Sequence, residues 1–292
     1  MASAGWEERY AAIARQSEEY SVWRLCCLLK VSRSGYYAWR RRPVSRRVKE
    51  NEGIVKVMHQ IHIAVKESYG SPRMQAELHS QGWVCGRHRV ARLMRRHGLI
   101  AKMTVRFRRL TKAGKRPKMA GNLLGQRFLV SEPNRVWAAD VTYIPTGEGY
   151  LYLAVVLDLY SRQVIGWAMT SRLGTELVIT ALRQALQQRS VRSGLLHHSD
   201  GDGLYTSFAY QRMLSDHQMI CSMNRTGNCY DNACVESFFA SLKNELVAFE
   251  RFYTREEAQL HIFAWIETFY NRIRRHSTLG YLSPVDYEKE NS

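Results

Sequence analysis

Acid is scarce in the front of this 292-residue chain. Residues 1–130 hold 28 Lys and Arg against 8 Asp and Glu, a net +20, whereas residues 131–292 hold 15 against 18, a net −3. Cysteine is scarce too: there are six, at 26, 27, 85, 221, 229 and 234, and none forms a Cys-x-x-Cys pair. With no signal peptide visible, they read as reduced residues of a cytoplasmic protein rather than a disulphide framework. His59-x-x-His62 lacks two further ligands at suitable spacing, and Cys85 alone does not complete a zinc site. The longest apolar run, Tyr150–Leu159, is far too short to span a bilayer and contains Asp158, so no membrane segment is expected. No internal repeat and no sustained heptad appear.

What is present divides by charge. A front half at +20 is suited to a polyanion, on a near-neutral back half. Residues 7–42 read as a helix, a turn and a helix; Ser32 caps the second, which carries Tyr36, Tyr37 and Trp39 and ends in Arg40-Arg41-Arg42-Pro43. Such a pair is either a helix-turn-helix with its second helix in the major groove or a plain hairpin with a basic end. Residues 48–64 form a helix, and Tyr69-Gly70-Ser71-Pro72-Arg73 opens another, with Ser71 as its cap. A short helix, Arg87–His97, turns Val90, Leu93 and Met94 inward and Arg87, Arg89, Arg92, Arg95 and Arg96 outward, a good phosphate binder. Residues 101–118 hold eight cations, among them Arg106, Arg108 and Arg109, and no acid; they read as a basic linker. The expected division is therefore 1–47 and 48–100 as helical DNA-binding units, 101–130 as linker, 131–250 as an α/β core, and 251–292 as a helix with a basic aromatic tail.

From Val136 the period changes to two. Val136–Ile144, Tyr150–Leu157 and Gln163–Met169 form an antiparallel meander. A helix (175–189), a strand (194–198), a helix (205–216), a strand (218–223) and a helix follow, which is the element order of an RNase H-like α/β fold. On the last helix Val235, Phe238, Phe239, Leu242 and Leu246 make an apolar stripe, with Asn232, Glu236, Ala240 and Lys243 on an adjoining face. Asp140 lies on the first strand and Asp200 just after the fourth, and these strands are neighbours in such a sheet. Glu236 on a helix packed across the sheet end would join them. Three clustered carboxylates repel one another without a cation. Mg²⁺ prefers oxygen ligands, and two ions about 4 Å apart suit in-line phosphoryl displacement; Mn²⁺ is a plausible substitute. Asp140, Asp200 and Glu236 are accordingly the expected catalytic and metal-binding residues. Asp158 and Asp202 are rivals, although Asp158 reads as a turn former. His197, His198 and Ser199 alternate along one strand and make no hydrolase relay; His198 is instead a candidate to contact substrate phosphate.

Trp137-x-x-Asp140-x-Thr142-Tyr143-Ile144, His198-Ser199-Asp200 and Asp231-Asn232-Ala233-x-x-Glu236-Ser237-Phe238-Phe239-x-x-Leu242-Lys243-x-Glu245 resemble the integrase-type DDE catalytic core. Val31-Ser32-Arg33-Ser34-Gly35-Tyr36-Tyr37-Ala38-Trp39, Tyr69-Gly70-x-x-Arg73, Tyr270-Asn271-x-x-Arg274-Arg275-His276 and Ser283-Pro284 extend the likeness over nearly the whole chain. The chain is similar to bacterial insertion-sequence transposases of the second-reading-frame (OrfB) type. That resemblance implies Mg²⁺-dependent 3′-end cleavage and strand transfer at terminal inverted repeats, a circular intermediate, and target DNA as a second substrate. It also implies at least a dimer on DNA, a possible first-frame (OrfA) partner or fusion, and a location at the bacterial nucleoid. Asn232, Lys243, Arg73, Arg274, Arg275 and His276 become expected DNA contacts. Where the family has an arginine after His-Ser-Asp, this chain has Gly201-Asp202-Gly203-Leu204. That departure motivates an alternative, a catalytically silent DNA-binding accessory subunit; a nuclease that cuts without joining is a third reading.

Overall fold

The structure, a computed structural model, describes residues 5–43, 45–102, 120–224 and 232–291. It divides into two compact units, residues 1–56 and 57–292, with the division inside helix α4 (Arg46–Ala64). Among the described residues, no helix is long and apolar enough to cross a membrane.

The first unit has three helices before α4 where the sequence reads two: α1 (Trp6–Gln16), α2 (Val22–Leu28) and α3 (Arg33–Arg41). The break follows α1, where the Ser17 hydroxyl donates back to the Ala14 carbonyl and competes with continued helix. Tyr10, Ile13, Cys26 and Tyr36 are its buried centre, with Trp39 against Tyr10 and Tyr36. Ser32 caps α3 as expected, accepting from Gly35 N at 3.0 Å. A β-carbon on Gly35 would strike the Tyr10 hydroxyl, so this helix start approaches α1 as only glycine allows.

In the second unit α5 (Ser71–Ser80) and α6 (Arg87–Arg96) form a pair, burying Met74 and Leu78 against Val90, Leu93 and Met94. Gln75 Nε2 and His79 Nε2 both bond the Cys85 carbonyl, which holds the turn between them. Ser71 is the first residue of α5 and not its cap; the cap position is Gly70. Pro72 sits in the first turn, where its missing N–H costs nothing.

The sheet that follows has five strands in the order β3-β2-β1-β4-β5. β1 (Val136–Thr146), β2 (Gly149–Asp158) and β3 (Val164–Thr170) are antiparallel, while β4 (Leu196–Ser199) and β5 (Ile220–Met223) run parallel to β1. One face carries Trp137, Ala139, Ala154 and Val156 into a core with α7 (Thr175–Gln188) and α8 (Phe208–Asp216). Gly166 lets α7 lie directly on β3, since a β-carbon there would meet the Ala181 carbonyl. α9 (Ala233–Leu242) packs on β1, and α10 (Arg255–Ala264) on β1 and β2. Phe238 contacts Phe239, Trp265 and Tyr270 in an aromatic cluster between these helices and the tail. α9 runs on without a break into a π-helical turn, Lys243–Val247, and the chain ends in α11 (Pro284–Asn291). This mixed sheet with helices on it is the architecture the element order predicts.

Candidate active site

Register brings the first two carboxylates together. Ala138 on β1 pairs with His198 on β4. Two residues further along stand Asp140, within β1, and Asp200, just past the end of β4; neighbouring strands lie about 4.8 Å apart. β1 is held there by Asn232, whose Nδ2 donates to the Ala139 carbonyl at 3.2 Å. Asn232 opens α9, so the same contact sets the helix that carries Glu236 beside β1.

The electrostatics report the same gathering. Burial pushes the Asp140 carboxyl up to about 8, and the negative charge of Asp200 adds to it; Glu236 and Asp202 raise it further. A bond from Val141 N to Asp140 Oδ1 at 2.7 Å acts against the rise. Lys243 is the neighbouring cation. Its Nζ lies 5.3 Å from the centre of the Tyr143 ring, in the field of Asp140. Burial lowers its pKa, and Asp140 partly offsets that.

Asp202 is exposed, and it shapes the loop more than it fills the site. Its backbone N donates to Asp200 Oδ1 at 3.2 Å, and its carbonyl accepts from the N–H groups of Tyr205 and Thr206. Asp158 accepts from Asn134 N and Tyr160 N, the work of a turn former. Burial raises its pKa to about 6, against those two bonds. Among the described residues, no three His, Cys, Asp or Glu side chains already stand close enough together to hold a metal ion. The residues nevertheless suit a divalent cation: the donors are all carboxylate oxygens, and Asp140 is crowded by like charge that a cation would relieve. A magnesium ion usually takes one or two carboxylates and completes its shell with water and substrate phosphate.

Several expected DNA contacts lie elsewhere than the sequence implies. Arg274 is buried, donating to both oxygens of Glu245 at 2.7 Å and to Ser241 Oγ. Arg73 pairs with the same carboxylate at 3.3 Å. Arg275 bonds Glu77, Ser80 and the Tyr281 carbonyl. His276 faces Tyr270 and Arg274, and burial, then Arg274, hold its pKa well below the usual value. Each of these four has a carboxylate, carbonyl or ring partner within the chain, and those contacts brace the fold. Asn232 is likewise buried against β1. His198 is also fully buried. Nε2 donates to Asn224 Oδ1 at 2.7 Å, and Nδ1 shares a hydrogen bond of 2.9 Å with the Ser222 hydroxyl. It ties β4 to β5 and does not reach for substrate.

The arginines of α6 behave as expected: Arg87, Arg92, Arg95 and Arg96 are exposed, and Arg89 is half-buried. Arg40, Arg41 and Arg42 are exposed at the end of α3 and just beyond it. Arg106, Arg108 and Arg109 lie outside the described residues.

Three residues had no role in the sequence reading. Glu245 joins two arginines. The Tyr69 hydroxyl donates to the Ile273 carbonyl and accepts from Arg275 N. Tyr205 is buried with its hydroxyl unpartnered among the described residues, in the field of Asp140, Asp200 and Asp202. The first two were visible as motif residues, but nothing local says that Tyr69 meets residues 204 and 206 positions away.

Comparison with known proteins decides the family. The integrase core domain family matches residues 130–229, a second integrase core domain family matches 217–284, and an HTH-like domain family matches 49–107. Transposase InsF for insertion sequence IS3A, from Escherichia coli strain K12, is 42% identical over 285 residues, 97% of this chain and 99% of that one. The chain belongs to the IS3 family of transposases. A second family relative, a 31 kDa protein of insertion element IS600 from Shigella sonnei, is 41% identical over 91% of this chain and 98% of its own. Among solved structures, a chain of the simian T-cell lymphotropic virus intasome covers 80% of this transposase and 74% of itself, with 14% identity and a TM-score of 0.46. That likeness is too distant to add to the strand order. An IS3-family transposase with an integrase core is a polynucleotidyl transferase, and the five-stranded sheet lies within the residues that the integrase core domain family matches.

Proposed function

We propose that this transposase cleaves DNA at the 3′ ends of its element's terminal inverted repeats and joins those ends to target DNA, with Asp140, Asp200 and Glu236 as the catalytic, metal-binding carboxylates. What supports this reading is the field at Asp140, to which Asp200 and Glu236 both add, together with the pairing of β1 and β4 two residues before Asp140 and Asp200. When bound, two Mg²⁺ ions, or Mn²⁺ in their place, would activate the attacking oxygen and stabilise the leaving one. Asp140 offers oxygen ligands from β1 and Asp200 from just past β4, and Glu236 closes the set from the helix. Asn232 keeps that helix seated on β1. Lys243, half-buried about two turns along the same helix, offers one cation to a scissile phosphate. The exposed arginines of α6 and of the end of α3 hold the duplex by its phosphates, which makes binding salt-dependent. Two ends must be joined, so the working form is at least a dimer on double-stranded DNA in the cytoplasm, with a first-frame partner or fusion for full end recognition.

The test uses end-labelled terminal-repeat duplex, Mg²⁺ and the full chain, with and without the first-frame protein. Asp140→Asn and Glu236→Gln should each abolish cleavage and joining while retaining DNA binding. Full activity in either variant would overturn the assignment. Binding by the native protein without any metal-dependent cleavage would mark an accessory subunit, and hydrolysis without joining a nuclease.

A further inference from the structure

The second unit holds a clamp at some distance from the carboxylates. Glu245 lies on the π-helical continuation of α9, so it shares one unbroken helix with Glu236. Nine residues of helix separate them, about 14 Å at 1.5 Å per residue. The Glu245 carboxylate receives Arg274 on both oxygens at 2.7 Å and Arg73 at 3.3 Å, with Glu245 only 11% and Arg274 only 5% exposed. Arg73 belongs to α5, which packs on α6, the helix of exposed arginines.

A second set of bonds pins the same helix. Arg275 bonds Glu77 and Ser80 on α5, and the Tyr69 hydroxyl is bonded into the Ile273–Arg275 backbone. The α5–α6 pair is thus fastened to the catalytic helix at one end and to the tail beside it. A bidentate guanidinium–carboxylate pair has a fixed planar geometry and little freedom to slide. Apolar packing would hold the pieces together equally well; fixed-geometry ion pairs hold them in one position.

Resting on the proposed function, we infer that the Glu245 clamp is a ruler: it sets the spacing along DNA between the duplex segment gripped by α6 and the phosphate that is cut. Glu245, Arg73 and Arg274 are positioning residues in this role, and none need touch the reacting atoms. A displacement of about 1 Å at a reacting centre is enough to cost about a hundredfold in rate, so a loosened clamp should blur where the cut falls and slow it.

Two measurements separate this from simple stabilisation. The first maps cut sites at nucleotide resolution on labelled terminal-repeat DNA for the full chain, Glu245→Gln, Glu245→Asp, and Arg73→Gln. The Arg73 side chain is 27% exposed, at the rim of the clamp, and its loss should leave a folded protein. The native chain should cut at one phosphate. Glu245→Gln and Arg73→Gln should spread cutting over neighbouring phosphates, with binding affinity retained, and Glu245→Asp should restore much of the precision. Cutting that merely slows while remaining at a single phosphate would overturn the ruler, because a structural role alone predicts that pattern. The second measurement needs no catalysis. A photo-crosslinking amino acid at exposed Ser237, beside Glu236, reports which nucleotide lies under α9. One crosslinked position in the native background and a spread in Arg73→Gln support the clamp even if the protein cuts no DNA, in which case only the proposed function falls. The same narrow crosslink in both backgrounds refutes it.

Discussion

Glu245 and Asp140 are both carboxylates in largely enclosed surroundings, and they have opposite company. Glu245 meets two guanidinium groups and gives the fold a fixed joint. Asp140 meets Asp200, Glu236 and Asp202, and its carboxyl is pushed up to about 8 by burial and by them. At one end of the α9 helix a carboxylate is paired with two guanidinium groups; at the other, the like charges of Asp200, Glu236 and Asp202 all act on Asp140. That contrast separates structural charge from chemical charge in this chain better than residue type does, since arginine-rich motifs supply both the buried clamp and the open face of α6.

The largest expected effect breaks the paired end. Arg274→Ala leaves Glu245 with Arg73 alone in a nearly buried site, and should cost about 3–5 kcal/mol in urea unfolding. A loss below about 1 kcal/mol would mean that Glu245 is hydrated and the contrast with Asp140 is false. Next comes the crowded end. Asp140 carries a native pKa raised from 3.8 to about 8, so the metal-free native state holds a proton that the unfolded chain releases. The stability contributed by this proton should therefore be fully present below about pH 4 and be lost as pH rises through about 8. Asp140→Asn should flatten that dependence and stabilise the metal-free protein at pH 8.5 by on the order of a few kcal/mol. Added Mg²⁺ should narrow the difference between the two proteins. Thermal melts across pH, with chelator and with Mg²⁺, measure all three.

A smaller effect is expected beneath the carboxylates. Tyr205→Phe removes a buried hydroxyl that finds no partner among the described residues, and should raise stability by about 1 kcal/mol. Destabilisation by that amount would show that the hydroxyl is satisfied. The smallest stability effect belongs to the open cations. Arg92→Ala on α6 should alter unfolding by less than about 0.5 kcal/mol, yet reduce the slope of log affinity against log salt by about 1. A salt slope that does not change would remove this arginine from the DNA face.

Much of the catalytic domain was legible from periodicity. The meander, α7 and the apolar stripe of α9 follow from side-chain periods that local geometry imposes, and the three carboxylates could be placed because the element order implies which strands adjoin. Boundaries moved where turns intervene: β4 begins at Leu196 and not at Gly194, whose positive φ marks a turn. The three-helix form of the first unit was missed because a serine interrupts one apolar pattern without erasing it. The internal partners of the tail are the least legible feature, since Arg274, Arg275 and His276 look basic and available in one dimension.

By itself, then, the sequence determined the order of strands and helices in the α/β core, the position of Asp140 and Glu236 on them, and the exposure of most arginines of α6, because each depends on spacing within one strand or helix. Only the tertiary structure decided which cations are spent inside the molecule. Arg73 meets a carboxylate 172 residues away, and no local period encodes such a pairing. A charged side chain becomes structural or functional according to whether folding brings it a partner of opposite sign.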